Sequence, residues 1–305
     1  MGGYLARRLL SGALAILGIV IVVFVLVRML GDPAALMMPP EATKEEIEIF
    51  RHAYGFDRPI HVQLVDFMRD LARGDLGRSL RHDEPVMDMI MERLPATLKL
   101  SVTALVVSLI LAVPLGVIAA IHRGTFWDRA TMVMAMLGQS VPDFWLGLML
   151  IYLAGVRLRL APISGYGGFS HLILPALTLS AFPLARTTRI VRSAMLEVLG
   201  QDYIRTARSK GLSERMVTYK HALKNALIPV ITVVGLDLGA LLGGAVIVET
   251  IFAWPGMGRL VVQALDNRDF PLVQGGVLVM AISYVGVNIL VDLLYSIVDP
   301  RIRCN

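Results

Sequence analysis

Six predominantly apolar stretches recur along the 305-residue chain, at about 9–30, 96–121, 130–156, 172–190, 228–252 and 271–298. Each has the roughly 20 residues that a helix needs to cross about 30 Å of hydrocarbon. In lipid the backbone must satisfy its own polar groups, and for runs of this length only a helix does so. The sequence therefore predicts an all-α membrane protein with six transmembrane helices. Composition agrees: 56% of residues are hydrophobic and 17% charged, against about a quarter charged in a soluble domain. The net charge of +5 raises nucleic acid as a partner, but the basic residues flank apolar spans instead of forming one surface stripe.

Those basic residues set the orientation, because Lys and Arg accumulate in short cytoplasmic loops. Arg7 and Arg8 precede the first run, and Arg123 and Arg129 separate the second from the third. Nine basic residues against three acids lie between Arg186 and Lys224, and Arg301 and Arg303 close the chain. Both termini are predicted cytoplasmic. The first apolar run is too long for a signal-peptide core and has no small-residue cleavage site, so it is expected to stay as an anchor. Cys304 is the single cysteine, which excludes an intramolecular disulfide and a multi-cysteine zinc site.

The segment 201–229 is basic and carries a central glycine. It reads as two short helices: Arg208 and Lys210 suit a helix C-terminus, and Gly211 suits the left-handed residue beyond it. Ser213 is placed to cap the second helix, with Glu214 in its first turn. Met216, Tyr219, Leu223, Ala226 and Leu227 recur at helical spacing as an apolar stripe, with Arg215, Thr218 and Lys224 off it. Such a stripe needs a protein surface to cover it. Helix, glycine turn and basic helix also describe a DNA reader, but the second helix runs directly into the fifth apolar run and has no freedom to enter a groove.

Residues 31–95 form a long outer loop with eight basic and thirteen acidic residues. Thr43 and Glu46 have capping-box spacing, followed by Ile47, Phe50 and Tyr54 on one face. Pro59 can open a second helix, with Val65, Met68 and Ala72 on one side, and Pro85 a third through Val86, Met89 and Arg93. A small helical extracytoplasmic subdomain is expected, covering helix ends or docking an external partner.

No phosphate-binding loop, His-Glu-x-x-His, Gly-x-Ser-x-Gly or Cys-x-x-Cys motif is present, so the sequence offers no catalytic centre and no metal site. Its six histidines lack ligand-like spacing.

Several motifs carry a family resemblance. Asp202-Tyr203-Ile204-Arg205-Thr206-Ala207-Arg208 with Lys210-Gly211-Leu212 resembles the cytoplasmic loop of binding-protein-dependent ABC transporter permeases of the dipeptide, oligopeptide and nickel group. Arg205, Thr206, His221 and Lys224 depart from the wider superfamily pattern, and Ala207, Gly211 and Leu223 fit it. Further similarity lies in Arg93-Leu94-Pro95-Ala96-Thr97, in Pro142-x-Phe144-Trp145-Leu146-Gly147, in Glu249-Thr250-Ile251-Phe252-x-Trp254-Pro255-Gly256 and in Asp299-Pro300-Arg301-Ile302-Arg303. The resemblance implies the type I ABC importer permease fold. Its units would be 1–30, 31–95, a core of five helices over 96–298 with a coupling loop at 191–227, and a tail at 299–305. It also implies an ATPase contact through Asp202, Tyr203, Arg205, Thr206, Ala207, Arg208, Lys210, Gly211, Leu212 and Ser213. The implied partners are a second homologous permease, two cytoplasmic ATP-binding subunits that hold the ATP and Mg, and an extracytoplasmic solute-binding protein. No cofactor is expected on this chain. The cargo would be a di- or oligopeptide, with nickel, a nickel chelate or glutathione as alternatives. A passive channel or membrane scaffold is the reading from another class.

Polar residues inside spans are expensive in lipid and usually face the bundle or a water-filled path. Asp143, Asp237, Glu249, Asn288 and Asp292 are the candidates for a translocation pathway. Asp237 sits among Gly235, Gly239, Gly243 and Gly244, whose size permits close helix approach. It can equally make an interhelical bond or a contact to the second permease. Asn288 and Asp292 are spaced to share one helix face.

Overall fold

The computed structural model describes residues 2–29, 34, 35, 38 and 41–298, with the side chains of 2–6, 9, 27, 28 and 292–298 outside that description. The 299–305 tail with Cys304, and the side chain of Asp292, therefore lie outside the described residues. Among the described residues the architecture is helical, and the one β-feature is an isolated antiparallel bridge between Arg78 and Pro85.

Helix α1 spans Gly2–Met29, with its apolar part at Leu10–Leu26. The following subdomain opens with α2, Lys44–Ala53, whose start is the expected capping box: Thr43 Oγ1 accepts from the Glu46 amide, and the Glu46 carboxylate accepts from the Thr43 amide at 2.8 Å. Phe50 stacks on Tyr54 at 4.4 Å between ring centroids. Helix α3, Ile60–Ala72, starts after Pro59 as expected, but its packed face is not the expected one. Val65 and Ala72 are exposed, and Phe67, Met68 and Leu71 pack on the core. The reason is tertiary, since Phe67 meets the buried ring of Phe24 on α1 at 5.8 Å.

The helix expected to begin at Pro85 and the span expected from residue 96 are one continuous element, α4, Val86–Ile121. Its 36 residues reach about 54 Å, more than a bilayer core is thick, so it ties the outer subdomain rigidly to the bundle. A β-carbon added at Gly116 would fall 2.6 Å from Val191 Cβ, which measures how closely α4 meets the later helix that carries Val191, Ser170–Leu199.

The third expected span is not a single helix. Helices α5, Phe126–Ser140, and α6, Asp143–Leu150, the latter extended by a π-helical turn to Arg157, meet at 105° across Val141 and Pro142. The physical cause is Pro142, which lacks an amide hydrogen and pushes Val141 out of the helical region, to φ −81° and ψ 125°. Helix α7 then runs through Ser170–Leu199. Ser, Thr, Pro and three arginines make it less apolar than its neighbours.

Helix α8, Asp202–Ser209, and the short α9, Glu214–Met216, form the linker. A π-helical segment, Val217–Ala222, joins α9 to α10, Leu223–Ile251, so the second arm of the linker is continuous with a membrane helix. Helix α11, Met257–Asp266, lies beyond α10, and α12, Phe270–Val298, completes the bundle. Three described helices, Val86–Ile121, Glu214–Ile251 and Phe270–Val291, are long and apolar enough to cross a membrane, and the bent α5–α6 pair makes up to four. One core joins α4, α7 and α10 around Leu100, Leu172, Leu241 and Trp254. A second packs α4 and α7 against the linker through Val117, Met195, Ile204 and Val217.

Candidate functional site

The linker turns where the sequence places the turn. Gly211 has φ +77°, its amide donates to Arg208 O at 2.9 Å and the Leu212 amide donates to Ala207 O at 3.4 Å. This paired pattern is a Schellman cap, closed by the contact of Leu212 with the cluster holding Ala207. Across the turn Arg208 grips Glu214 with two bonds of 2.8 and 3.2 Å, and Ser213 caps α9 through the Met216 amide. Asn225 on α10 donates to the Tyr203 hydroxyl at 2.7 Å. Asp202 accepts from Arg205 through its side chain at 3.5 Å and from Thr206 through its carbonyl. Lys210, the last residue before the glycine, is exposed.

The buried face of the second arm departs from the expected stripe. Val217, Thr218, Ala222 and Ala226 are buried, whereas Met216 is exposed and Tyr219 is 54% exposed. The π-helical segment causes this, because its wider turn shifts the register between the residues on its two sides, so that Val217 and Thr218, and not Met216 and Tyr219, share the face of Ala222 and Ala226. Anchoring falls instead to Ile204, fully buried on α8, which a reading of the basic residues alone passes over. Tyr203, Met216 and Tyr219 are left facing outward as uncovered apolar area.

Within the bundle, Arg186 Nη1 on α7 donates to Asp237 Oδ1 on α10 at 2.9 Å. Asp237 is nearly fully buried, and its Oδ2 has no hydrogen-bond partner among the described residues. Asn288 on α12 packs beside Gly239, two residues from Asp237. Gly235 receives Val291 so closely that an added β-carbon would sit 2.0 Å from Val291 Cγ1. Close approach thus holds at Gly235 and Gly239, while Gly243 and Gly244 meet nothing within 4 Å. Asp143 is the first residue of α6, at the sharp bend, and has no ion-pair partner among the described residues. Nearer the other end of α7, Arg192 holds Asp128 in a bidentate grip of 2.6 and 2.9 Å, and Asp128 also accepts from the Gly124 amide at 2.9 Å.

Glu249 joins a different network. It accepts from the Thr97 hydroxyl at 2.6 Å and from the Arg259 amide at 3.1 Å, and Thr97 in turn accepts from the Met257 amide at 2.8 Å. Trp254 donates its indole N–H to Ala96 O at 3.0 Å. Thr97 and Trp254 thereby clamp α11 onto α4, about a third of the way along that helix, and onto the C-terminal end of α10. No local spacing in the sequence pairs Arg186 with Asp237 or Arg192 with Asp128. The available signal was that Arg186, Arg189 and Arg192 recur every three residues deep in a helix, beyond what orientation requires.

A helical bundle crossed by buried charge pairs, with a stiff linker projecting from a membrane helix, defines a multi-pass membrane permease component. The model of the binding-protein-dependent transport system inner membrane component matches residues 112–303, and that of its N-terminal membrane component matches 1–101. The chain belongs to this family. It is 41% identical to the dipeptide transport system permease protein DppB of Escherichia coli K12, covering 98% of both chains. It is also 41% identical to the glutathione transport system permease protein GsiC of Escherichia coli O6:H1, covering 99% of both. Among solved structures, the fold is shared with a chain of the MetNI methionine ABC transporter, at TM-score 0.58 and 19% identity over 71% of this chain and 99% of that one. An amino acid ABC transporter chain matches at TM-score 0.55 and 15% identity, over 69% of this chain and 94% of that one.

Proposed function

We propose that this chain is one permease half of an importer that moves short peptides across the cytoplasmic membrane on ATP hydrolysed by partner subunits. The chain itself would bind no nucleotide and catalyse no reaction. In this reading it spans the membrane six times, with α7 as the fourth span, and both termini are cytoplasmic. The outer subdomain of α2 and α3 faces the extracytoplasmic side. A second, homologous permease supplies the other wall of the path, two ATP-binding subunits hold ATP and Mg, and a solute-binding protein delivers the cargo.

The observation that carries the reading is the linker. Its two arms are locked at Gly211, one arm continues without a break into α10, and Tyr203, Met216 and Tyr219 stand uncovered on the surface. An exposed apolar rim on a rigid lever fits a docking element that passes motion from an ATPase to a membrane helix, since coupling needs an element with discrete arrangements. The ion pair of Arg186 with Asp237 supports a polar path, because Arg186 is 34% exposed on the subunit surface and a charge there is costly against lipid. Asp143, Asn288 and Asp292 are assigned to the same path. Glu249 is assigned to its outer end. Glutathione, itself a tripeptide, is the second cargo considered, because a glutathione-transport relative matches at 41% identity.

The test is reconstitution in liposomes with the proteins encoded beside this chain. Uptake of a labelled dipeptide should require ATP and the binding protein. Uptake without ATP, or failure to associate with an ATPase, sinks the proposal.

A further inference from the structure

The connection between α4 and α5 sets two arginines at the edge of an exposed apolar stripe, with no carboxylate to meet them. Helix α4 ends at Ile121 and α5 begins at Phe126, so the short connection lies where two apolar helices leave the hydrocarbon. Its own bonds hold it closed. The His122 amide donates to Ile118 O at 3.1 Å, the Thr125 hydroxyl donates to His122 O at 2.6 Å, and Gly124 takes a left-handed turn at φ +78°.

Asp128 fastens this turn to the bundle. It is buried, and it accepts from the Gly124 amide at 2.9 Å and from Arg192 on α7 at 2.6 and 2.9 Å. Arg192 thereby neutralises it. Helix α4 carries no acid after Glu92, α5 carries none but Asp128, and the acid of α7 is Glu197, which lies beyond Arg192 by about 7.5 Å along the axis. On the linker, Asp202 and Glu214 are taken by Arg205 and Arg208. Arg123 and Arg129 are exposed and enter no ion pair among the described residues, so the patch keeps two uncompensated charges.

The same surface is apolar. Phe126 and Trp127 are 75% and 62% exposed, and their rings meet edge to face at 5.9 Å between centroids. Residues three and four apart share a helix face, which puts Arg129 on one stripe with Phe126, Val133 and Leu137, and each of these three apolar side chains is more than half exposed. An arginine within such a stripe is costly against hydrocarbon unless its guanidinium reaches a polar group. Arg129 starts one turn from the helix end, and its long stem can carry the charge out to the headgroup layer. Aromatic rings such as those of Phe126 and Trp127 suit the same boundary, the indole above all.

We propose that Arg123 and Arg129, together with Phe126 and Trp127, form a docking site for an anionic phospholipid, with the phosphate on the arginines and the upper acyl chain along the stripe. Two features decide the occupant. The stripe continues down α5 into the face that hydrocarbon covers, which a soluble partner would leave unfilled. The two guanidinium charges also favour a headgroup whose phosphate charge is not cancelled by an amine of its own, and guanidinium forks onto phosphate oxygens in two parallel bonds. Each basic side chain near an anionic membrane surface gains about fivefold in binding. The site requires α4 and α5 to lie in the membrane, and it depends neither on the cargo nor on the importer reading. In the orientation proposed above it faces the cytoplasmic leaflet, and a bilayer of equal leaflets tests it whichever way the chain runs.

The test uses the full complex in nanodiscs of equal parts phosphatidylcholine and phosphatidylglycerol, with the acyl chains of one lipid or the other brominated. Quenching of Trp127 is read as the difference between the unaltered complex and Trp127→Phe, which subtracts Trp145, Trp254 and the partner subunits. Brominated phosphatidylglycerol should quench Trp127 about threefold more than brominated phosphatidylcholine. Arg123→Gln with Arg129→Gln should bring that ratio close to one and leave total quenching in place, since both side chains are exposed. Equal quenching by the two lipids in the unaltered complex would overturn the proposal, because the stripe would then meet lipid without choosing a headgroup. Quenching by neither would place Trp127 under a second permease or an ATPase subunit, which also overturns it. A preference that survives the double variant would belong to other charges and overturn it as well. Loss of ATP-driven dipeptide uptake bears on the importer reading alone, because the quenching ratio is measured without ATP or cargo.

Discussion

Arg186 reaches Asp237 at 2.9 Å about 24 Å along α7 from Ser170, and the two partners are unequally buried: Asp237 is 4% exposed and Arg186 34%. The aspartate is thus a buried anchor that holds a partly open arginine at a fixed place on the bundle surface. Breaking a buried pair by removing one charge typically costs about 3–5 kcal/mol. Exposure of Arg186 puts this case toward or below the lower end of that range. Arg186→Leu should lower the unfolding midpoint of the purified complex in detergent, and Arg186→Leu with Asp237→Leu should recover most of the loss. A double variant as unstable as the single one would mean that the pair is not the source of the effect.

Gly256 is tested by adding a single methyl group. A β-carbon there falls 2.0 Å from Glu249 Oε1, so Gly256→Ala must displace the carboxylate from Thr97 or tilt α11. Overpacking of this kind costs about 1–3 kcal/mol. Limited proteolysis between α10 and α12 should accelerate in the variant, and Gly243→Ala, where nothing lies within 4 Å, serves as the matched control. Equal cleavage rates in both would show that the turn yields without cost.

Helix positions were legible in the sequence wherever one local rule decided them. Thr43 and Glu46 form their box, Gly211 takes the left-handed turn, and Pro59 precedes α3. The errors arose where a second influence acted. Periodicity at 3.6 residues put Met216 and Tyr219 on the buried stripe, and the π-helical segment moved burial to Val217 and Thr218. Hydropathy marks 130–156 as one span but carries no angle, and the 105° bend at Val141 and Pro142 follows from the proline. The candidate site was legible as a set of acids, but not as pairs. Asp237, Glu249 and Asp128 find Arg186, Thr97 and Arg192 at separations of 51, 152 and 64 residues, which no local spacing encodes.

Glu46 gives a pH prediction outside the membrane. Bonds from the Thr43 amide and hydroxyl hold its carboxyl below the ordinary value of 4.5. A carboxylate whose folded value is lowered stabilises above its unfolded value and loses that contribution as pH falls through the folded one. Amide exchange in α2 should therefore be slowest above about pH 5 and speed up, beyond its intrinsic pH dependence, as the solution is acidified below 4.5. Glu46→Gln should remove that excess acceleration. An unchanged profile in the variant would separate α2 stability from this cap.

Gly211 separates backbone geometry from packing, because no atom lies within 4 Å of the β-carbon it lacks. Any effect of substitution must come from φ +77°. For an ordinary L-residue the left-handed region costs about 1–2 kcal/mol, least for Asn, and a β-branched side chain is the worst tolerated there. Gly211→Asn should be nearly silent, Gly211→Ala intermediate and Gly211→Val most damaging. Since α9 continues into α10, distortion of the turn should appear as ATP hydrolysis poorly matched to uptake, with membrane insertion intact. The measured quantity is the ratio of ATP consumed to peptide transported across the three variants. A ratio that stays constant from Asn through Val would show that the Gly211 turn does not transmit motion to the bundle.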